Sequence, residues 1–236
     1  VFDLSGSYTF IAERLAQDFG SVKYFSLWQT GFSDSKDFLP GLGLPDVERV
    51  ANFFDALDET DLFLFTDVGY GDLQEWLRKE GHAVFGSGRA QELEMDRWLL
   101  KEKLKEADMA VADSQLVTGV EELRKLLKKE KDRYVKFSYF RGSMETYHHL
   151  EWFATETWLN DLATRLGPYG KLAAFVVEEP IVGEAVEVGV ATHCVGNKIP
   201  ENPMWGYEVK DAAFLATTDP LPDRLSQNTH AFAKIL

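Results

Sequence analysis

The chain has 236 residues, 45% hydrophobic and 13% aromatic, enough to fill one large core or two small ones. Its formal net charge of −14 argues against a partner with a phosphate backbone, which is held by clustered Lys and Arg. A single cysteine, Cys194, excludes an intrachain disulfide and fits a reducing, cytoplasmic setting. No apolar run approaches the ~20 residues of a membrane span, and no signal peptide is evident. Val1 falls in mid-strand without an initiator Met, and Phe232 to Leu236 read as the start of a further element, so a longer parent protein is expected.

Val1 to Leu4 read as the end of a buried strand, and Ser5-Gly6-Ser7 as a tight turn. Tyr8, Ile11, Leu15 and Phe19 follow at helical spacing. A strand, a small-residue turn and a helix open a doubly wound unit, whose helix N-terminus can hold an anion; Ser5, Gly6 and Ser7 either serve a substrate or phosphate, or simply reverse the chain. Val22 to Trp28 read as a strand, residues 29–45 as a long loop, and Val47, Val50, Phe54 and Leu57 as a helix. Asp61 to Phe65 read as a buried parallel strand ending in Thr66-Asp67-Val68-Gly69-Tyr70-Gly71. Ligands of open α/β sheets sit at such strand ends, which makes Asp67 and Gly69 substrate candidates. Asp72 with Glu75 has the form of a capping box, Leu73, Trp76 and Leu77 face inward, and Gly81 stops that helix. His82 to Phe85 make a fourth short strand.

Past Gly86-Ser87-Gly88 a long charged helix is expected, Arg89 to Ala107, then a strand over Ala110–Leu116. Thr118 with Glu121 suggests a second capping box, opening a helix packed through Leu123, Leu126 and Leu127. Arg133 to Ser138 form a strand carrying Lys136, and Tyr139 to Met144 a loop. His148 and His149 sit near the start of a helix packed through Trp152, Leu159, Leu162 and Leu166, which Gly167-Pro168 close. Phe175 to Glu179 is an apolar strand ending in two carboxylates; these are solvated strand-end residues, or acceptors for ribose hydroxyls or a cation. Glu184–Val195 and Trp205–Thr217 read as antiparallel strands, and residues 218–230 as loop.

Some chemistries find no support. Adjacent His148 and His149 on a helix do not share a face, and His193 and Cys194 on a strand point to opposite sides, so neither pair makes a zinc site. There is no Gly-x-Ser-x-Gly elbow and no Gly-x-Gly-x-x-Gly fingerprint, which speaks against an α/β-hydrolase and a dinucleotide-dependent dehydrogenase.

Four segments in order carry a resemblance: Gly81-His82-Ala83-Val84-Phe85-Gly86, the Arg97 to Lys101 helix, the Tyr134-Val135-Lys136 strand, and Val177-Glu178-Glu179 followed by Gly183-Glu184. Together they resemble the ATP-grasp superfamily, and within it most closely the phosphoribosylamine–glycine ligases. The resemblance implies an α/β fold, with a doubly wound parallel sheet over residues 1–88 and an ATP-grasp α+β domain over 89–236. It implies an ATP-dependent, magnesium-dependent ligase that joins a small-molecule carboxylate to an amine through an acylphosphate. It further implies that Lys101 approaches the ATP phosphates and that Lys136 contacts the adenine side and the α-phosphate. Glu178 and Glu179 would flank the adenine amino group, with backbone contacts through Ile181, and Glu184 or Glu187 would hold the ribose. Lys210 would be a further basic residue near the phosphates. Gly142 and Ser143 would donate backbone N–H groups, and Arg141 would stabilise the transferring phosphoryl.

The sequence departs from the family twice. The glycine-rich loop reads Phe140-Arg141-Gly142-Ser143-Met144 in place of Gly-Lys-Gly, and no Glu-x-Asn pair for magnesium occurs before Leu236, which leaves those ligands expected beyond it. A non-catalytic ATP-binding protein of the same fold is the alternative. Lys136 has a plain reading too, as a lysine whose stem lies along a strand end.

Overall fold

The computed structural model describes residues 1–27, 39–138, 146–183, 186–196, 198–209 and 212–236. Arg141, Gly142, Ser143, Glu184 and Lys210 lie outside these residues, as do Trp28, much of the expected 29–45 loop and the whole of the expected Tyr139–Met144 loop. The chain divides into two compact units, Val1–Gln91 and Glu92–Leu236.

The first unit is a parallel sheet. β1 (Phe2–Asp3) pairs with β2 (Val22–Ser26), and β2 with β3 (Val47–Arg49). β4 (Leu62–Leu64) pairs with β5 (Ala83–Phe85), and a parallel bridge between Phe2 and Phe65 joins the two groups into the order β3-β2-β1-β4-β5. The order reverses between β1 and β4. At such a switch point the loops after the two strands diverge and leave a crevice at the carboxyl edge. Alternation along β2 sends Val22 and Tyr24 toward α1 (Thr9–Phe19), where Ala12 and Ala16 are buried. Phe25 joins an aromatic cluster of Phe2, Phe53, Phe63 and Phe65 beside Leu77 of α2 (Gly71–Lys79).

Several sequence expectations give way here. Val47 and Val50 do not begin a helix: Val47–Arg49 is a strand, because β-branched residues at a sheet edge gain more from pairing with Val22–Tyr24 than from a helical turn, and only Phe53–Glu59 winds, as a 3-10 segment capped by Asn52. In α1 the buried stripe is Ala12 and Ala16, and Phe19 is 63% exposed, since small side chains let the helix approach the sheet. Tyr70 precedes α2 without any side-chain cap; Asp72 lies inside the first turn and Glu75 pairs with Arg78. Trp76 is 41% exposed, while Gln74 is fully buried.

In the second unit the expected long helix is broken. A 3-10 turn ends the first unit, α3 spans Glu92–Met95, and α4 spans Arg97–Glu106. Asp96 is the cause: its backbone is extended and its carboxylate accepts from the N–H groups of Trp98 and Leu99. The main sheet holds β6 (Ser114–Thr118), β7 (Arg133–Phe137), β8 (Thr146–His149) and β9 (Ala174–Glu178), antiparallel in the order β6-β9-β7-β8. The β6 strand starts later than expected. Thr118 belongs to it, and Gly119, with φ 91°, takes the cap position before α5 (Val120–Leu127) without a side-chain cap. His148 and His149 lie on β8, not near a helix; His149 is buried against Thr155 and the Glu130 carbonyl. One face of this sheet presents Val135, Phe137, Phe175 and Val177 to α5 and to α6 (Trp152–Leu166), through Leu123, Leu127, Leu159 and Leu162. Burying each such leucine stabilises by about 1.5–3 kcal/mol.

A second antiparallel sheet follows, β10 (Glu187–Ala191), β11 (Met204–Val209) and β12 (Ala213–Thr217), so the expected Trp205–Thr217 strand is two strands paired with each other. Residues 218–230 do not form a simple loop. Asp223–Ala233 is α7, which Pro222 leads into and Asp223 supports from its first turn. Among the described residues no helix is long and apolar enough to cross a membrane.

Candidate functional site

The face of the main sheet opposite the α5/α6 core carries charge. Strand alternation places Val176 and Glu178 of β9 on it, and the register sets Glu178 opposite Tyr134 and Val176 opposite Lys136. Glu178 is 6% exposed. Burying a lone carboxylate is costly, and here two ammonium groups offset that cost. Lys101 Nζ lies 2.6 Å from one carboxylate oxygen, and Lys136 Nζ pairs with the other. Burial pushes the Glu178 carboxyl up, but the hydrogen bonds and charge of Lys101 and Lys136 outweigh it and hold the group below its ordinary value of 4.5.

Lys101 reaches this point because α4 is pinned to the end of β7. Ser138 donates its hydroxyl to Asp96 at 2.8 Å and accepts from Trp98 N–H at 3.3 Å, and Arg97 N–H donates to the Ser138 carbonyl at 3.1 Å. Lys101 lies one turn beyond Arg97. Two cations and one anion leave a single net positive charge. Among the described residues each ammonium, with three protons, gives Glu178 one bond, which leaves donors for a further anion. Ser114, the register partner of Glu178 on β6, has a buried hydroxyl with no hydrogen-bond partner among the described residues.

The structure thus brings Lys101, Lys136 and Glu178 together. Glu179 goes elsewhere: its N–H donates to the Asp113 carbonyl, and its carboxylate lies 3.2 Å from Arg133, which also pairs with Glu130 at 2.8 Å. Ile181 is 77% exposed. Glu187 begins β10 in the other sheet, directly opposite Glu208.

Sequence reasoning overlooked Asp96, Ser138 and Arg133, and also the Tyr134–His148 stack, with ring centroids 4.2 Å apart and His148 bonded to Asp132 at 2.7 Å. An Asp immediately before Arg-Trp-Leu-Leu was the readable signal for the α4 start. The cross-strand stack had none, because β8 was not foreseen.

In the first unit, Ser5 to Ser7 follow β1 and Asp67 to Gly69 follow β4, so the expected substrate residues flank the switch point. Gly69 has φ 113°, and a β carbon there would come within 2.9 Å of Leu4. Its N–H donates to Gln91 Oε1 at 2.5 Å, and its carbonyl accepts from Gln74 at 3.2 Å.

No family model matches the chain, and no curated protein matches it. Solved structures do. N5-carboxyaminoimidazole synthetase from Staphylococcus aureus superposes with a TM-score of 0.63 at 16% identity, covering 99% of this chain and 61% of that one. Phosphoribosylamine–glycine ligase from Thermotoga maritima gives 0.61 at 13%, covering 98% and 60%. An ATP-grasp RimK domain protein from Sphaerobacter thermophilus gives 0.54 at 18%, covering 74% and 64%. The chain spans about three fifths of the length of these structures, and over that span it has the mixed α/β fold of the ATP-grasp enzymes.

Proposed function

We propose that the Glu92–Leu236 unit binds ATP and that the protein is an ATP-dependent carboxylate–amine ligase, similar in kind to phosphoribosylamine–glycine ligase. The observation that carries this reading is the buried Glu178 held between Lys101 and Lys136 on a strand face shared with Val176 and Tyr134. ATP carries about four negative charges, so an acidic protein must gather cations locally to hold it. Lys101 and Lys136 would meet phosphate oxygens, and Glu178 would accept from the adenine amino group. Glu179 and Ile181 would lie near the base, and Glu184 or Glu187 near the ribose. Lys210, Gly142 and Ser143 would complete the phosphate contacts, with Arg141 at the transferring phosphoryl. Ser5, Gly6, Ser7, Asp67 and Gly69 would bind substrate at the carboxyl edge of the first sheet. A cytoplasmic setting suits this chemistry.

In the reaction a substrate carboxylate oxygen takes the γ-phosphoryl, releasing ADP. The amine lone pair then attacks the acyl carbon and phosphate leaves. Magnesium, when bound with ATP, neutralises phosphate charge. Among the described residues no group of three or more His, Cys, Asp and Glu side chains is gathered to hold a metal ion. The described residues alone do not make a magnesium site.

ADP release, measured across carboxylate and amine pairs, tests the ligase. Release that depends on both substrates is expected, and no turnover with any pair contradicts it. The second reading, a non-catalytic ATP-binding protein, draws on the altered Phe140–Met144 sequence. It predicts ATP binding without ADP release.

A further inference from the structure

The turn after β1 is already filled by an anion of the chain itself. Asp3, fully buried at the end of β1, accepts from Ser5 N–H at 3.1 Å, the Ser5 hydroxyl at 3.3 Å and Gly6 N–H at 3.0 Å through one oxygen. Its other oxygen accepts from Tyr8 N–H at 2.8 Å and the Tyr24 hydroxyl at 2.6 Å. Ser7 N–H donates to the Ser5 hydroxyl at 3.2 Å. Every backbone N–H from Ser5 to Tyr8 is therefore spent inside the turn. Backbone donors ahead of a helix are what would otherwise cradle a phosphate. Pro40 stands against Gly6, where a β carbon would come within 2.8 Å of it, and the Pro40 carbonyl accepts from Arg49 at 3.0 Å.

We propose that Asp3 is a specificity-determining residue that supplies the anion of the β1–α1 turn and thereby keeps phosphorylated ligands out of it. This rests on the reading of the first sheet's carboxyl edge as a substrate site. A phosphate there would have to displace a buried carboxylate from five donors and would meet its charge at close range. A ligand taken at this edge would therefore bring no phosphate into the β1–α1 turn.

The test is a backbone-amide NMR titration of the full chain with inorganic phosphate and, separately, ribose 5-phosphate at millimolar concentration. The Ser5, Gly6, Ser7 and Tyr8 amides are expected to stay unshifted; saturable shifts at these positions overturn the proposal. Asp3→Ser empties the acceptor. If that variant folds, its turn amides should move with phosphate, and their failure to do so also overturns the proposal. If it does not fold, the wild-type titration decides. ATP added to the wild-type sample reads the other unit by thermal stabilisation. Its failure would count against the ATP-ligase reading and leave the result at Asp3 standing.

Discussion

Lys101 on α4 and Glu178 on β9 meet at 2.6 Å with both side chains largely out of solvent, 15% and 6% exposed. Nothing in the local sequence of either segment joins them. The contact exists because Asp96 starts α4 and Ser138 fastens that start to the end of β7. Ser138→Ala should therefore loosen Lys101 without touching it. The lost bond is worth about 1 kcal/mol in stability, with a larger proportional loss in ATP affinity than an exposed serine substitution gives. Chemical denaturation and ATP titration of the same variant check both parts.

Glu178→Gln leaves two ammonium groups facing a neutral amide. Removing one member of a buried charge cluster destabilises by about 3–5 kcal/mol, and Lys136, a third exposed, draws the expectation to the lower end. Urea unfolding measures it, and a change within experimental error would mean that the cluster contributes nothing to stability.

The same carboxylate predicts an acid limb. Its folded value is depressed below 4.5, so its contribution is fully present above the ordinary value and is lost as pH falls through the folded one. The melting temperature should fall below pH 4.5, and Glu178→Gln should flatten that part of the profile. Parallel profiles for the two proteins would refute the assignment.

Packing gives a contrast within one helix. Leu159 is fully buried and Phe153 is 87% exposed, both on α6. Leu159→Ala should cost about 2–5 kcal/mol, and Phe153→Ala about 0.5 or less. Gly119→Ala should cost about 1–2 kcal/mol, since φ is 91° there and a β carbon would stand 3.2 Å from the Lys171 carbonyl. Denaturation midpoints rank the three.

The sequence carries the parallel first sheet, the apolar strands Phe63–Phe65 and Phe175–Val177, and the leucine stripe of α5, because continuous or periodic apolar runs report burial directly. It hides what depends on a partner distant in the chain. Val47–Arg49 is a strand only because β2 lies beside it, and β8 forms only against β7. Asp72 and Thr118 satisfy a capping pattern yet cap nothing, since Tyr70 and Gly119 take the cap positions. At the candidate site, the family likeness names Lys101, Lys136 and Glu178 as separate expectations. Their meeting at one buried point, and the departure of Glu179 to Arg133, follow from strand alternation and could be seen only once the register was known.

On the proposed reading, the two lysines around Glu178 hold ATP. A ligand that binds only the folded state stabilises it by about 2.7 kcal/mol at a hundred times its dissociation constant. The deciding measurement is the ATP-induced melting shift of the wild-type chain beside that of Lys136→Ala, with circular dichroism confirming that the variant folds. The account predicts a clear shift for wild type and none for the variant. Equal shifts in both, or none in the wild type, would contradict it.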